Sequence, residues 1–194
     1  MRGLRRWRPP CFFVLRCEGI AAFLSLFLKM RHTNPIPAPK SRNSSGGHAA
    51  PIRVLLVEAH YMCRDALARL ISDSAGFQIF ASADTGNEAV SICRHSAPDI
   101  VLMPIELEDA DAVEVTAEIL RVCQQTEVIL MQRSRDENVT MRAIQSGALG
   151  LVSTSAPASG LVEAIHTVAQ GRSYVGPIAL DVVTKRLANI RPTR

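Results

Sequence analysis

The stretch from Asp99 to Ala112, DIVLMPIELEDADA, runs an apolar segment straight into four carboxylates, Glu106, Glu108, Asp109 and Asp111. A further carboxylate, Glu58, directly follows the apolar run IRVLLV. Carboxylates at such junctions can hold a divalent cation or act as nucleophiles, and open parallel sheets bind ligands just outside the carboxyl ends of their strands. The junction residue here is Pro104, which has no reactive side-chain atom and no backbone N–H. The histidines His60, His95 and His166 have no second ligand at metal spacing and are expected to be structural or exposed. The five cysteines are odd in number and lack a CxxC spacing. With Cys63, Cys93 and Cys123 lying in apolar helical patterns, buried thiols in a reducing compartment are expected, not disulfides or a metal site. Tyr61 and Tyr174 are expected to pack with an exposed hydroxyl.

The elements that must position these groups begin at Ile52. Short apolar runs recur at 52–57, 77–82, 99–103, 127–131 and 150–153 without in/out alternation, as strands covered on both faces do. Between them lie helix-length segments, with apolar stripes at Met62, Ala66, Leu67, Leu70 and Ile71, at Ala89, Val90 and Cys93, and at Val113, Ala117 and Leu120. Two more follow, with Val139, Ala143 and Ile144, then Leu161, Ile165 and Val168. Gly76, Gly147 and Gly171 stand where helices would stop in a left-handed cap. Five β-α repeats predict an α/β, flavodoxin-like, doubly wound five-stranded parallel sheet, with a further helix at 178–187. A flavin phosphate loop is disfavoured, because the first strand feeds EAHYMCRD, which has no glycine.

The net charge of +4 hides an asymmetry: residues 1–50 carry nine Lys/Arg against one acid, whereas residues 51–187 carry eleven against seventeen. The basic character therefore belongs to the amino-terminal arm, and the folded part is acidic. Residues 1–32 read as a basic and apolar leader, disordered or associated with a membrane surface. Its unbroken apolar run, Gly19 to Leu28, falls short of the ~20 residues a spanning helix needs. LKMRH follows that run in place of a small-residue cleavage site, and an initiator at Met30 is an alternative reading. Residues 33–51, rich in Pro, Ser and Gly, read as a linker, residues 52–187 as the folded domain, and 188–194 as a tail.

Residues 52–187 resemble the receiver domain of bacterial response regulators, in the subgroup that carries a LuxR-type helix-turn-helix (NarL/FixJ-like). The likeness rests on IRVLLVEAH, PDIVLMPI, SGALGLV and LVEAIHTVAQGRSYV, and on the spacing between them. It implies a CheY-like sheet of order 2-1-3-4-5. It also implies a phosphoacceptor carboxylate after the third strand, a Mg²⁺ ion held by acidic side chains, a lysine on the phosphoryl oxygens and a mobile hydroxyl. The phosphoacceptor position aligns with Pro104. The acidic pair aligns with Glu58 and Ala59, the hydroxyl with Gln132, the lysine with Thr154, and the switch aromatic with Leu151. Only Glu58 keeps the required chemistry, so a pseudo-receiver is expected: no enzyme, no cofactor, Mg²⁺ not bound.

Glu106 aligns where the family contributes a backbone carbonyl to the metal. A rebuilt metal site would therefore use Glu58 and Glu106, and Glu106 is the candidate for a displaced phosphoacceptor. A solvated acidic loop is the competing reading. An interaction face is expected at Met141, Ile144, Leu149, Val152 and Leu161, where related receivers dimerise or meet partners. The expected partners are a histidine kinase or another response regulator, with a homodimer as a further option, in the cytoplasm or with the arm at the inner membrane surface. The residues after Leu187 fall short of the ~60 that a DNA-reading helix-turn-helix requires, so no nucleic acid binding by this chain alone is expected, and a truncated transcription regulator is the third reading.

Overall fold

In the computed structural model, residues 50–189 of the 194 are described. The leader and most of the linker lie outside the described residues. Strands and helices alternate as β1 (Ile52–Val57), α1 (Tyr61–Ser72), β2 (Phe77–Ala83), α2 (Gly86–Ser96), β3 (Ile100–Pro104) and α3 (Ala112–Val122). They continue as β4 (Glu127–Gln132), α4 (Glu137–Gln145), β5 (Gly150–Ser153), α5 (Ala158–Ala169), β6 (Tyr174–Val175) and α6 (Pro177–Asn189).

All strands pair in parallel in the order β2-β1-β3-β4-β5-β6. The first five follow the expected order; the sixth departs from the five expected. Tyr174 N donates to Leu149 O at 3.0 Å and Gly176 N to Leu151 O at 2.8 Å, which adds a two-residue strand to the β5 edge. A segment that short has no periodicity to read.

Alternate residues along each strand supply opposite faces of the sheet. Leu55, Val57, Val101, Met103, Leu130 and Leu151 join one buried cluster with Ala89 and Cys93 of α2, Val115 and Ile119 of α3, Ala143 of α4 and Ala179 of α6. Val54, Leu56, Ile100, Leu102, Ile129 and Val152 join the other with Ile71 of α1 and Leu161, Ala164, Ile165 and Val168 of α5. Each such leucine or isoleucine leaving water contributes about 1.5–3 kcal/mol. The two clusters account for a sheet apolar on both faces.

Two stripes differ from expectation. On α3 the buried face is Ala112, Val115, Thr116 and Ile119, not Val113, Ala117 and Leu120. On α1 only Ile71 is fully buried, Leu67 and Leu70 are half-buried, and Met62 in the first turn is exposed. Helix starts follow polar caps: Thr85 Oγ1 accepts from Glu88 N, Asp111 from Val113 N, and Asp136 from Asn138 N and Val139 N. Gly76, Gly147 and Gly171 all adopt positive φ, as the cap reading expected. Gly150 is required for a different reason: a Cβ there would stand 2.8 Å from Ile129 Cγ1 and 3.1 Å from Val168 Cγ2.

Candidate functional site

The parallel sheet brings the ends of β1, β3, β4 and β5 to one edge, and with them Glu58, Ala59, Pro104, Gln132 and Thr154. Glu58 follows β1 and is 7% exposed. Its Oε1 accepts from His60 N at 3.0 Å and stands 2.8 Å from His60 Nδ1, while its carbonyl accepts from Arg64 Nη1 at 2.8 Å. The guanidinium of Arg64 also pairs with Asp84 beyond β2. The acidic side chain after β1 is thus already engaged by the neighbouring His60. Ala59 next to it is exposed and contributes no ligand.

Pro104 is the last residue of β3, half-buried, in register with Met131 of β4. The proline is tolerated because pairing with β1 stops at Leu102, so its nitrogen meets no strand there. On the β4 side the ladder resumes at once, with Ile105 N donating to Met131 O at 2.9 Å. Gln132 ends β4 fully buried; its Oε1 accepts from Thr140 Oγ1 at 3.2 Å and its Nε2 has no partner. Thr154 follows β5, is exposed, and donates its N–H to Gln132 O at 2.9 Å. Leu151 points into the cluster under α3 and α4.

The acidic loop after β3 divides by role. Asp109 accepts from Gly86 N, Asn87 N and Asn87 Nδ2 at 2.9–3.1 Å, which ties the loop to the start of α2. Burial pushes its carboxyl up, but these hydrogen bonds outweigh that and hold it below the usual carboxylate range. Asp111 caps α3 and pairs with Arg142 of α4. Glu106 and Glu108 are exposed and have no hydrogen bond or ion pair among the described residues. Glu58 and Glu106 therefore differ sharply in setting, one buried on His60 and one in solvent. Among the described residues no group of three or more His, Cys, Asp and Glu side chains forms a metal-holding cluster.

Other expectations need correction. The anticipated interaction face is not an open apolar surface: Val152 and Leu161 are buried, and Met141, Ile144 and Leu149 are half-buried, the last two against the core clusters. Helix α6 packs on this side, with Ala179 in the core and Arg186 paired to Glu137 at the start of α4. Cys93 and Cys123 are buried as expected, but Cys63 is exposed. Burial and then the neighbouring Cys123 push the Cys93 thiol up to about 12. His95 Nδ1 lies 2.8 Å from Ser91 O, and the His166 ring packs at 4.5 Å against Phe77. Tyr61 is not packed into the core: it is 73% exposed, with the Arg64 guanidinium 5.9 Å over its ring, and its neighbour Met62 is 83% exposed.

Residues 54–166 match the family described as Response regulator receiver domain. The chain belongs to this receiver family. It is similar to the response regulator GacA of Pseudomonas viridiflava, 31% identical over 126 residues, or 65% of this chain and 59% of that protein. Response regulator UvrY of Escherichia coli (strain K12) is 31% identical over 144 residues, 74% of this chain and 65% of that one. The chain thus spans about three-fifths of these receiver proteins' length. Among solved structures, a two-component response regulator of the LuxR family from Aurantimonas sp. SI85-9A1 superposes with a TM-score of 0.67 at 28% identity, covering 71% of this receiver chain and 99% of its own.

Proposed function

We propose that this receiver acts in two-component signalling as a pseudo-receiver, through protein–protein contact and without accepting phosphate. The observation that carries the reading is Pro104 at the end of β3, with Ala59 after the neighbouring β1 and Thr154 after β5 on the same edge of the sheet. Phosphoryl transfer to a receiver needs an in-line nucleophile, a metal between carboxylates and a cation on the phosphoryl oxygens. Proline offers no attacking oxygen, alanine no metal ligand and threonine no charge. With Glu58 already held by His60, a Mg²⁺ ion would have to displace a hydrogen bond to gain a single carboxylate.

Its partners on this reading are a histidine kinase or another response regulator in the cytoplasm, and no cofactor is required. The test is incubation with Mg²⁺ and a small phosphodonor, followed by intact-protein mass measurement. No +80 Da adduct is expected; a stoichiometric base-labile adduct on the loop after β3, with Glu106 the first residue to inspect, overturns the proposal. Pro104→Asp alone is expected to label slowly, because Ala59 and Thr154 leave metal and phosphoryl oxygens poorly held; rapid labelling of that variant also counts against it.

A further inference from the structure

Most charges along the carboxyl edge of the sheet are engaged within the chain: Glu58 by His60, Asp84 by Arg64, Asp109 by the start of α2, and Asp111 by Arg142. Four are not. Glu106 and Glu108 on the loop after β3, and Arg133 and Arg135 on the loop after β4, are exposed and make no hydrogen bond or ion pair among the described residues. Because β3 and β4 are neighbours, two free anions and two free cations occupy adjacent loops of one edge. On the β1 side of the same edge stand Tyr61 and Met62, the most exposed of the large apolar side chains among the described residues.

We infer that this edge is the contact surface for a second copy of the chain, related by a two-fold axis passing between β3 and β4. An isologous interface requires a surface complementary to itself, and a split of equal and opposite free charges on neighbouring loops meets that requirement. Rotation about this axis sets the loop after β3 in one copy against the loop after β4 in the other, so Glu106 and Glu108 face Arg133 and Arg135 twice. The same rotation sets Tyr61 and Met62 opposite the β5–α5 loop, where Thr154, Ser155 and Pro157 are exposed. Exposed ion pairs alone hold little, so affinity comes from Tyr61 and Met62 leaving water while the charges set register and encounter rate. A basic partner would leave Arg133 and Arg135 repelled, and an acidic one Glu106 and Glu108. A second copy engages all four.

The inference is independent of whether phosphate is accepted, so the labelling experiment does not decide it. The full chain is examined by sedimentation equilibrium. At about 100 µM and low salt a dimer is expected, weakening at least about tenfold at 0.5 M ionic strength. The pairs Arg133→Glu/Arg135→Glu and Glu106→Lys/Glu108→Lys, all at exposed positions, are each expected to be monomeric with an unchanged far-ultraviolet spectrum. Their equimolar mixture is expected to associate again, since the exchanged charges meet their complements. Tyr61→Ser/Met62→Ser is expected to weaken the wild-type dimer without removing its salt dependence. A monomeric wild type, charge variants that associate as the wild type does, or a mixture that stays monomeric each overturns the inference.

Discussion

The strand interiors and the strand ends of this molecule obey different rules. Inside the sheet, Leu55, Leu56, Leu102, Met103, Ile129 and Leu130 are fully buried or nearly so on two faces, and each is held by partners from several elements. At the strand ends the setting is mixed: Glu58 and Gln132 are buried polar groups, the one on His60 and the other with an unpartnered Nε2, Pro104 is half-buried and Thr154 is exposed. The apolar interior thus holds the sheet together, while the polar and irregular residues gather at its carboxyl edge. Such a separation is what lets strand-end residues vary while a fold persists.

The largest expected effect tests the interior. Leu102→Ala removes a fully buried side chain from a central strand and is expected to cost about 2–5 kcal/mol in urea unfolding. A cost below about 1 kcal/mol would mean that the interior is less closely packed than its burial implies. Next comes the close approach of β5 to β4: Gly150→Ala sets a methyl group against Ile129 and Val168 and is expected to cost about 1–3 kcal/mol by the same measurement.

At the strand end the sign reverses. Gln132→Met removes a buried amide whose Nε2 has no partner, while Thr140 Oγ1 keeps its bond to Asp136 O at 2.9 Å. The unfolding free energy is expected to stay constant or rise by up to about 1 kcal/mol. A clear loss would show that the amide is satisfied in solution by a bound molecule, and would reopen this edge as a binding site.

The smallest effect lies on the surface, where hydrogen bonds from Arg121 and then Arg94 hold the Glu118 carboxyl at about 2, below its ordinary 4.5. A depressed folded-state value contributes stability above about pH 4.5 that is lost as pH falls towards 2. Glu118→Gln is therefore expected to be slightly less stable than the wild type at pH 7, by a small margin since the group is exposed, and to converge with it as pH falls towards 2. Urea unfolding at pH 7 and pH 3 measures both.

The sequence by itself determined the alternation of strands and helices, the direction of the sheet, the glycine caps and the absence of a nucleophile at Pro104. These follow from local periodicity, from turn chemistry and from the identity of single residues, all of which can be read without knowing what lies nearby. Only the tertiary structure decided that β6 joins the β5 edge, that α6 sits against the face around Ile144, that Glu58 is engaged by His60 while Glu106 has no partner among the described residues, and that Tyr61 and Met62 stand in solvent. Exposure, pairing and cover depend on which distant segment arrives at a surface. An apolar side chain has the same helical spacing whether or not something comes to lie over it.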